Sequence, residues 1–328
     1  VPGMVKAGVL ESGAWDYCVI GCNELGIPGR SAETAVTYEL GYVDIRVMLD
    51  VLQPEMQAED VLADWEHSLV QHFVRGIPRR RKRNREAADR TPFPLTSSLC
   101  HGCIEAGDDY RVAMPYRIPC AFVRGTTNVV NSLAAMETDV PPQLAPKWGN
   151  DDDRVDKWML KLQQARQRAI RRACEITGEP WVVTCHVVRS LHHLDGKRTP
   201  ATPDGRPAGA PLVDSIGAEL GTCSAGPTAM LASVLKIPAG SFDGIYNLNL
   251  TLPDTSTPIL KALAETFFMN GGQELQVNVL NADRLKEAKQ HPERFRDLVV
   301  RVSGLSARFI ELSELEQEEL IRRAELEA

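Results

Sequence analysis

The stretch Leu298-Val299-Val300-Arg301-Val302-Ser303-Gly304-Leu305-Ser306-Ala307-Arg308-Phe309 reads as an apolar strand running into a glycine turn flanked by small residues. Glycine suits that turn because it has no Cβ. Working outward, residues 275–280 read as a strand, 282–289 as a helix and 313–327 as a polar helix. Upstream the alternation recurs: a β-type run at Trp181-Val182-Val183-Thr184-Cys185, a helix over 227–235, a strand over 246–252 and a helix over 258–270. Short β runs alternating with helical spacing define an α/β protein.

The N-terminal side is patterned differently. Residues 1–30 are loop-like, broken by Gly3, Gly8, Gly13, Gly21, Gly26, Pro28 and Gly29. Over 32–74 apolar residues recur at three- and four-residue steps (Val43, Val47, Val61, Leu62, Trp65, Leu69, Phe73), which predicts two helices parted near Pro54. A further helical block spans 151–177 and stops at Gly178, a natural C-cap. The Gly/Pro-rich stretch 196–226 is too long for an idle connection.

Composition narrows the classes. A chain of 328 residues with 43% hydrophobic residues suits one large or two ordinary domains, and excludes disorder and collagen-like repeats. A formal net charge of −7 argues against a general nucleic-acid binder, which needs a positive field. No apolar run approaches the roughly 18 residues that span a bilayer, and residues 1–10 lack a signal-peptide pattern, so a cytoplasmic location away from membranes is expected. Eight cysteines are too sparse for a disulfide scaffold.

Several chemistry-bearing groups have a plain alternative. Cys100-His101-Gly102-Cys103 resembles half a zinc or redox site, but no second pair lies at usable spacing, so packing is favoured and no metal is expected. His192-His193, read as neighbours on a strand, would face opposite ways and not share a ligand. The run from Arg79 to Arg85 has six basic residues in seven and reads as a solvated linker helix paired with Glu86 and Asp89. Asp16-Tyr17-Cys18-Val19-Ile20-Gly21-Cys22-Asn23-Glu24 places a carboxylate two residues after a thiol, which suits hydrogen-atom transfer beside proton exchange; its plain reading is a buried Cys22 and a surface Glu24.

Four motifs in order resemble the glycyl radical enzyme family, which includes pyruvate formate-lyase. The Arg301 to Phe309 segment is similar to its C-terminal signature, with Leu305 where an aromatic residue, usually Tyr, most often follows the glycine. The Asp16 to Glu24 segment is similar to its cysteine loop. Ala201-Thr202-Pro203-Asp204-Gly205-Arg206 through Gly226-Pro227-Thr228-Ala229 resembles its long "TPDGR…GPTA" loop, and Gly271-Gly272-Gln273-Glu274-Leu275-Gln276-Val277-Asn278-Val279 the segment before the radical loop.

The resemblance implies the C-terminal half of a ten-stranded α/β barrel, with residues 1–190 belonging to the barrel domain and 191–328 forming the glycine radical domain. It implies a radical on Gly304, installed by a radical S-adenosylmethionine activating enzyme with no other cofactor bound. It also implies Cys22 as the thiyl residue, Glu24 as its acid/base partner, a small-molecule substrate, and a homodimer at full length. Family enzymes are more than twice this length, so the chain is expected to be their C-terminal part.

The residues at the cysteine sort the chemistry. Pyruvate formate-lyase proper has two adjacent cysteines, whereas Gly21 precedes Cys22; enzymes adding hydrocarbons to fumarate lack the glutamate that stands here at Glu24. Asn23 and Leu25 replace the commoner Val and Pro, so the substrate stays open. Dehydratases and C–N or C–S lyases are favoured, with arylacetate decarboxylases the alternative. A non-catalytic fragment or radical-bearing subunit is the reading from another class, against which Cys22 and Glu24 argue.

Overall fold

The computed structural model describes residues 2–6, 8–20, 24–31, 40–186, 191–238, 244–252, 256–302 and 305–326. They divide into two units. The first comprises Val1–Arg124, Lys161–Val187 and Ala239–Tyr246; the second comprises Gly125–Leu160, Val188–Pro238 and Asn247–Ala328.

In the first unit, strands β1 (Cys18–Ile20) and β2 (Glu24–Gly26) pair antiparallel, with Ile20 opposite Glu24. Residues 1–30, expected as loop, therefore hold this ladder and the short helices Pro2–Lys6 and Glu11–Ala14. A parallel sheet follows in the order β3 (Tyr42–Val43), β4 (Cys120–Arg124), β5 (Val183–His186). Phe122, Val123, Val183 and Cys185 are all buried, as in strands covered on both faces. The helices Asp44–Val51 and Ala58–Arg90 part around Pro54 as the spacing predicts, and the second buries Val61, Leu62, Trp65, Leu69, Phe73 and Ile77 along one stripe. It continues through Pro78 into the basic run. There Arg85 meets Asp89 and Asp108, and Arg81 meets Glu179.

A fully buried ion pair lies under this sheet. Arg166 Nη2 donates to Asp44 Oδ2 at 2.6 Å and Arg166 Nε to the Tyr42 hydroxyl at 2.9 Å. Burial raises the Tyr42 phenol above its ordinary value against the lowering pull of Arg166. Trp65 Nε1 donates to the Asp44 carbonyl at 3.2 Å, so the polar cluster is held inside apolar packing.

In the second unit, β6 (Asn247–Leu252) and β7 (Glu274–Val279) pair in parallel, and the helix Thr257–Met269 lies between them in sequence. Strands β8 (Val299–Val302) and β9 (Leu305–Arg308) pair antiparallel, with Val302 opposite Leu305. Their core gathers Leu280, Leu285, Ala288, Val300, Phe309, Leu320, Ile321 and Ala324. The helix Glu314–Leu326 starts where the sequence predicts: Ser313 and Glu316 form a reciprocal capping box, at 3.4 Å for Glu316 N to Ser313 Oγ and 3.0 Å for Ser313 N to Glu316 Oε2. The helix Thr126–Met136, which sequence reading passed over, is buried on nearly every side despite Thr126, Thr127, Asn128, Asn131 and Ser132.

Candidate functional site

Of the three expected site residues, Glu24 lies within the described residues and Cys22 and Gly304 lie outside them. Glu24 is the first residue of β2; Gly21, Cys22 and Asn23, between β1 and β2 in sequence, lie outside the described residues. Ser303 and Gly304, between β8 and β9, also lie outside them. The surroundings of each ladder are defined. Leu25 and Ile27 bury the β2 side, and the Ile27 N–H donates to Ser31 Oγ at 2.8 Å. Gly26 admits the Ile20 side chain, which a Cβ there would meet at 2.1 Å.

Strand β8 is tied on both sides. Arg301 stands opposite Ser306, and Arg301 Nη1 donates to Ser306 Oγ at 3.1 Å. On its other side Asn278 of β7 donates from Nδ2 to the Arg301 carbonyl and accepts at Oδ1 from the Arg301 N–H, both at 3.1 Å. The sequence marks the Asn278 segment by resemblance, but this contact joins residues 23 apart and has no local signal.

The Gly/Pro-rich loop is held by side chains in place of a ladder. Arg206 donates to the carbonyls of Ala210, Thr199 and Pro200 at 2.5, 3.2 and 2.5 Å. Asp204 accepts from Ser132 Oγ at 3.2 Å and pairs with Lys147 at 3.5 Å. Gly205, at φ 90°, makes the turn between them. The helix Thr126–Met136 supplies the rest: Asn128 Oδ1 accepts from the Val213 N–H at 3.0 Å and Thr127 donates to the Gly217 carbonyl at 2.9 Å. Its buried polar residues are there to satisfy loop backbone.

His192 and His193 correct the sequence reading. They open the helix His192–Lys197, where successive side chains are about 100° apart, so both rings reach one carboxylate. His192 Nε2 lies 2.8 Å from Glu319 Oε2, and His193 Nε2 meets the same oxygen. Arg323 bonds Glu319 and also Asp214, at 2.6 Å, and Asn249 Nδ2 donates to Asp214 at 2.8 Å. Burial alone would lower His192, but Glu319 overrides it and holds the imidazole above its ordinary value. The carboxyl of Glu319, although burial would raise it, is held far below the usual range by its hydrogen bonds to His192 and His193 and by Arg323. His192, His193 and Glu319 are a group that can hold a metal ion. Arg323 already neutralises that carboxylate, so the arrangement is a buried charge network.

Cys103 is buried against Met114, with Cys100, Tyr110 and Ala113 around it, and burial raises both thiols. Among the described residues no helix is long and apolar enough to cross a membrane.

Residues 214–310 match the glycine radical family model. Two curated relatives match nearly the whole chain: the probable dehydratase YbiW of Escherichia coli (strain K12), 27% identical over 99% of this chain and 48% of that protein, and the indoleacetate decarboxylase of Tractidigestivibacter scatoligenes, 28% identical over 98% and 45%. Among solved structures, a glycyl radical enzyme from Archaeoglobus fulgidus superposes with a TM-score of 0.83 at 25% identity, covering 98% of this chain and 48% of that one. The B12-independent glycerol dehydratase from Clostridium butyricum shares the fold, with a TM-score of 0.83 at 24% identity over 98% and 47%. The mixed α/β fold expected from the sequence, as part of a larger barrel, is thus the fold of radical enzymes over about half their length. Over 98% of its length the chain is similar to a glycyl radical enzyme of known structure, and the glycine radical model matches within it at residues 214–310. The chain spans about half the length of the curated relatives it matches.

Proposed function

We propose that the chain serves a radical lyase in which Gly304 stores the radical, Cys22 transfers it to substrate and Glu24 exchanges a proton. The observation that carries this is the glycine radical match over residues 214–310, which includes Gly304, in one chain with Gly21-Cys22-Asn23-Glu24. Residues 191–328 act as the radical domain and 1–190 as the part bearing the cysteine. A radical S-adenosylmethionine activating enzyme is the partner that removes one α-hydrogen from Gly304, and the working assembly is a homodimer.

The Gly304 α-carbon radical takes the hydrogen of the Cys22 thiol and becomes an ordinary glycine, leaving a thiyl. That thiyl takes a hydrogen atom from a substrate carbon. The substrate radical expels a neighbouring leaving group, with Glu24 exchanging the accompanying proton, and the product radical recovers the hydrogen from Cys22. Hydrogen atoms and electrons balance over the cycle, so an elimination needs no external oxidant. Elimination of water, amine or thiol is the primary reading; the similarity to an indoleacetate decarboxylase supports decarboxylation as the second.

The test is anaerobic treatment with an activating enzyme, S-adenosylmethionine and a one-electron reductant. Electron paramagnetic resonance should show a doublet that Gly304→Ala abolishes, and air should then cleave the chain at Gly304. An intact chain after oxygen reaches a radical-bearing sample would overturn the assignment. Loss of water or ammonia from hydroxylated or amino substrates, against release of carbon dioxide from arylacetates, separates the two readings.

A further inference from the structure

We propose that Asn278 is a positioning residue for the radical-bearing glycine, acting through Arg301; the proposal rests on Gly304 being the radical site. Asn278 is 8% exposed, and its amide copies a peptide group by offering one acceptor and one donor to the same residue. Along an antiparallel ladder, alternate residues turn their backbone groups away from the partner strand. Arg301 is such a residue. With β9 on one side, its N–H and carbonyl both face Asn278.

The anchor behind Asn278 is firm. Strand β7 is in register with β6 along its whole length, Thr251 standing opposite Asn278, and Leu248, Leu250 and Leu252 of β6 are buried. The restraint runs from the β6–β7 pair through one side chain to Arg301, three residues before Gly304. Beyond Gly304, Ser306 accepts from the Arg301 guanidinium, so the same residue is also tied to the strand that leaves it. Storing a radical on a backbone carbon requires that the carbon be held where a thiol can return to it, and Asn278 fixes the strand that delivers it.

Two readouts test this. In the unactivated protein, Asn278→Ala should speed hydrogen exchange of the Arg301 amide about tenfold, the factor expected for a hydrogen bond of ordinary net strength, while the β6–β7 amides keep their rates. After activation, Asn278→Ala should hold less radical, for a shorter time, with an altered hyperfine splitting. Asn278→Asp, which keeps the acceptor for the Arg301 N–H and loses the donor, should fall between Ala and the parent, and it stands in if the alanine variant does not fold. Unchanged Arg301 exchange, or an unchanged radical yield, lifetime and splitting, would overturn the role of Asn278. Failure of the parent itself to form a radical under these conditions would instead overturn the assignment of Gly304.

Discussion

The ladder before and after Gly304 and the ladder before and after Cys22 have the same topology and very different anchoring. Strand β8 rests on a core containing Val300 and Phe309, at 3% and 0% exposure, and is bonded laterally by Asn278. Strand β1 leaves Val19 about half exposed, and the nearby Arg30–Asp16 pair is a 3.6 Å surface contact. Exposed pairs of that kind add little. On the proposed function, the strand leading to the storage site is held by a lateral side-chain tie as well as by its core, which suits a residue at which a radical waits.

Substitutions at the two ladders test this contrast. The largest effect should come from Cys22→Ser in the complete enzyme: the Gly304 doublet persists while turnover vanishes, because an alcohol O–H is far harder to cleave homolytically. A dead Cys18→Ser beside an active Cys22→Ser would relocate the transfer residue. Glu24→Gln should keep both radicals accessible and slow turnover by about 10²–10⁴, the usual worth of a placed acid or base, read as kcat at a fixed radical content.

The anchoring itself can be measured by denaturation. Phe309→Ala should cost about 3–5 kcal/mol in the transition that reports the C-terminal unit, whereas Val19→Ala, half exposed, should stay within about 0.5 kcal/mol. Equal costs would erase the asymmetry.

A smaller effect concerns pH. His192 is raised above 6.5, so its contribution is complete below that pH and fades as pH climbs through the higher folded value. Glu319 is lowered from 4.5, so its contribution is complete above that pH and is lost as pH falls toward the folded value. Stability of the C-terminal unit should therefore peak between about pH 4.5 and 6.5. Urea midpoints across pH 3.5–9 should show both limbs in the parent protein, and Glu319→Gln should flatten them.

Much of the C-terminal region was legible because its signals are local. The strand near Leu298 to Val302, the helix over 282–289 and the polar helix from Ser313 are each read from a few neighbouring residues. The helix Thr126–Met136 was not, because its buried polar side chains serve loop segments as distant as Val213 and Gly217. His192 and His193 were misplaced on a strand for a related reason: what orients them is Glu319, 127 residues from His192. The proposed roles of Cys22, Glu24 and Gly304 rest on motif alone, whereas the Asn278 tie depends on two strands meeting.

The same long-range ties have a kinetic consequence. The loop around Asp204 and Arg206 has its backbone completed by Asn128, Thr127 and Trp148, across separations of 85 residues to Val213, 90 to Gly217 and 68 to Ile216. Contacts of such separation form only after the entropy of closing large loops has been overcome. The loop is therefore a late arrival on the folding pathway, assembled onto a helix that must already be in place.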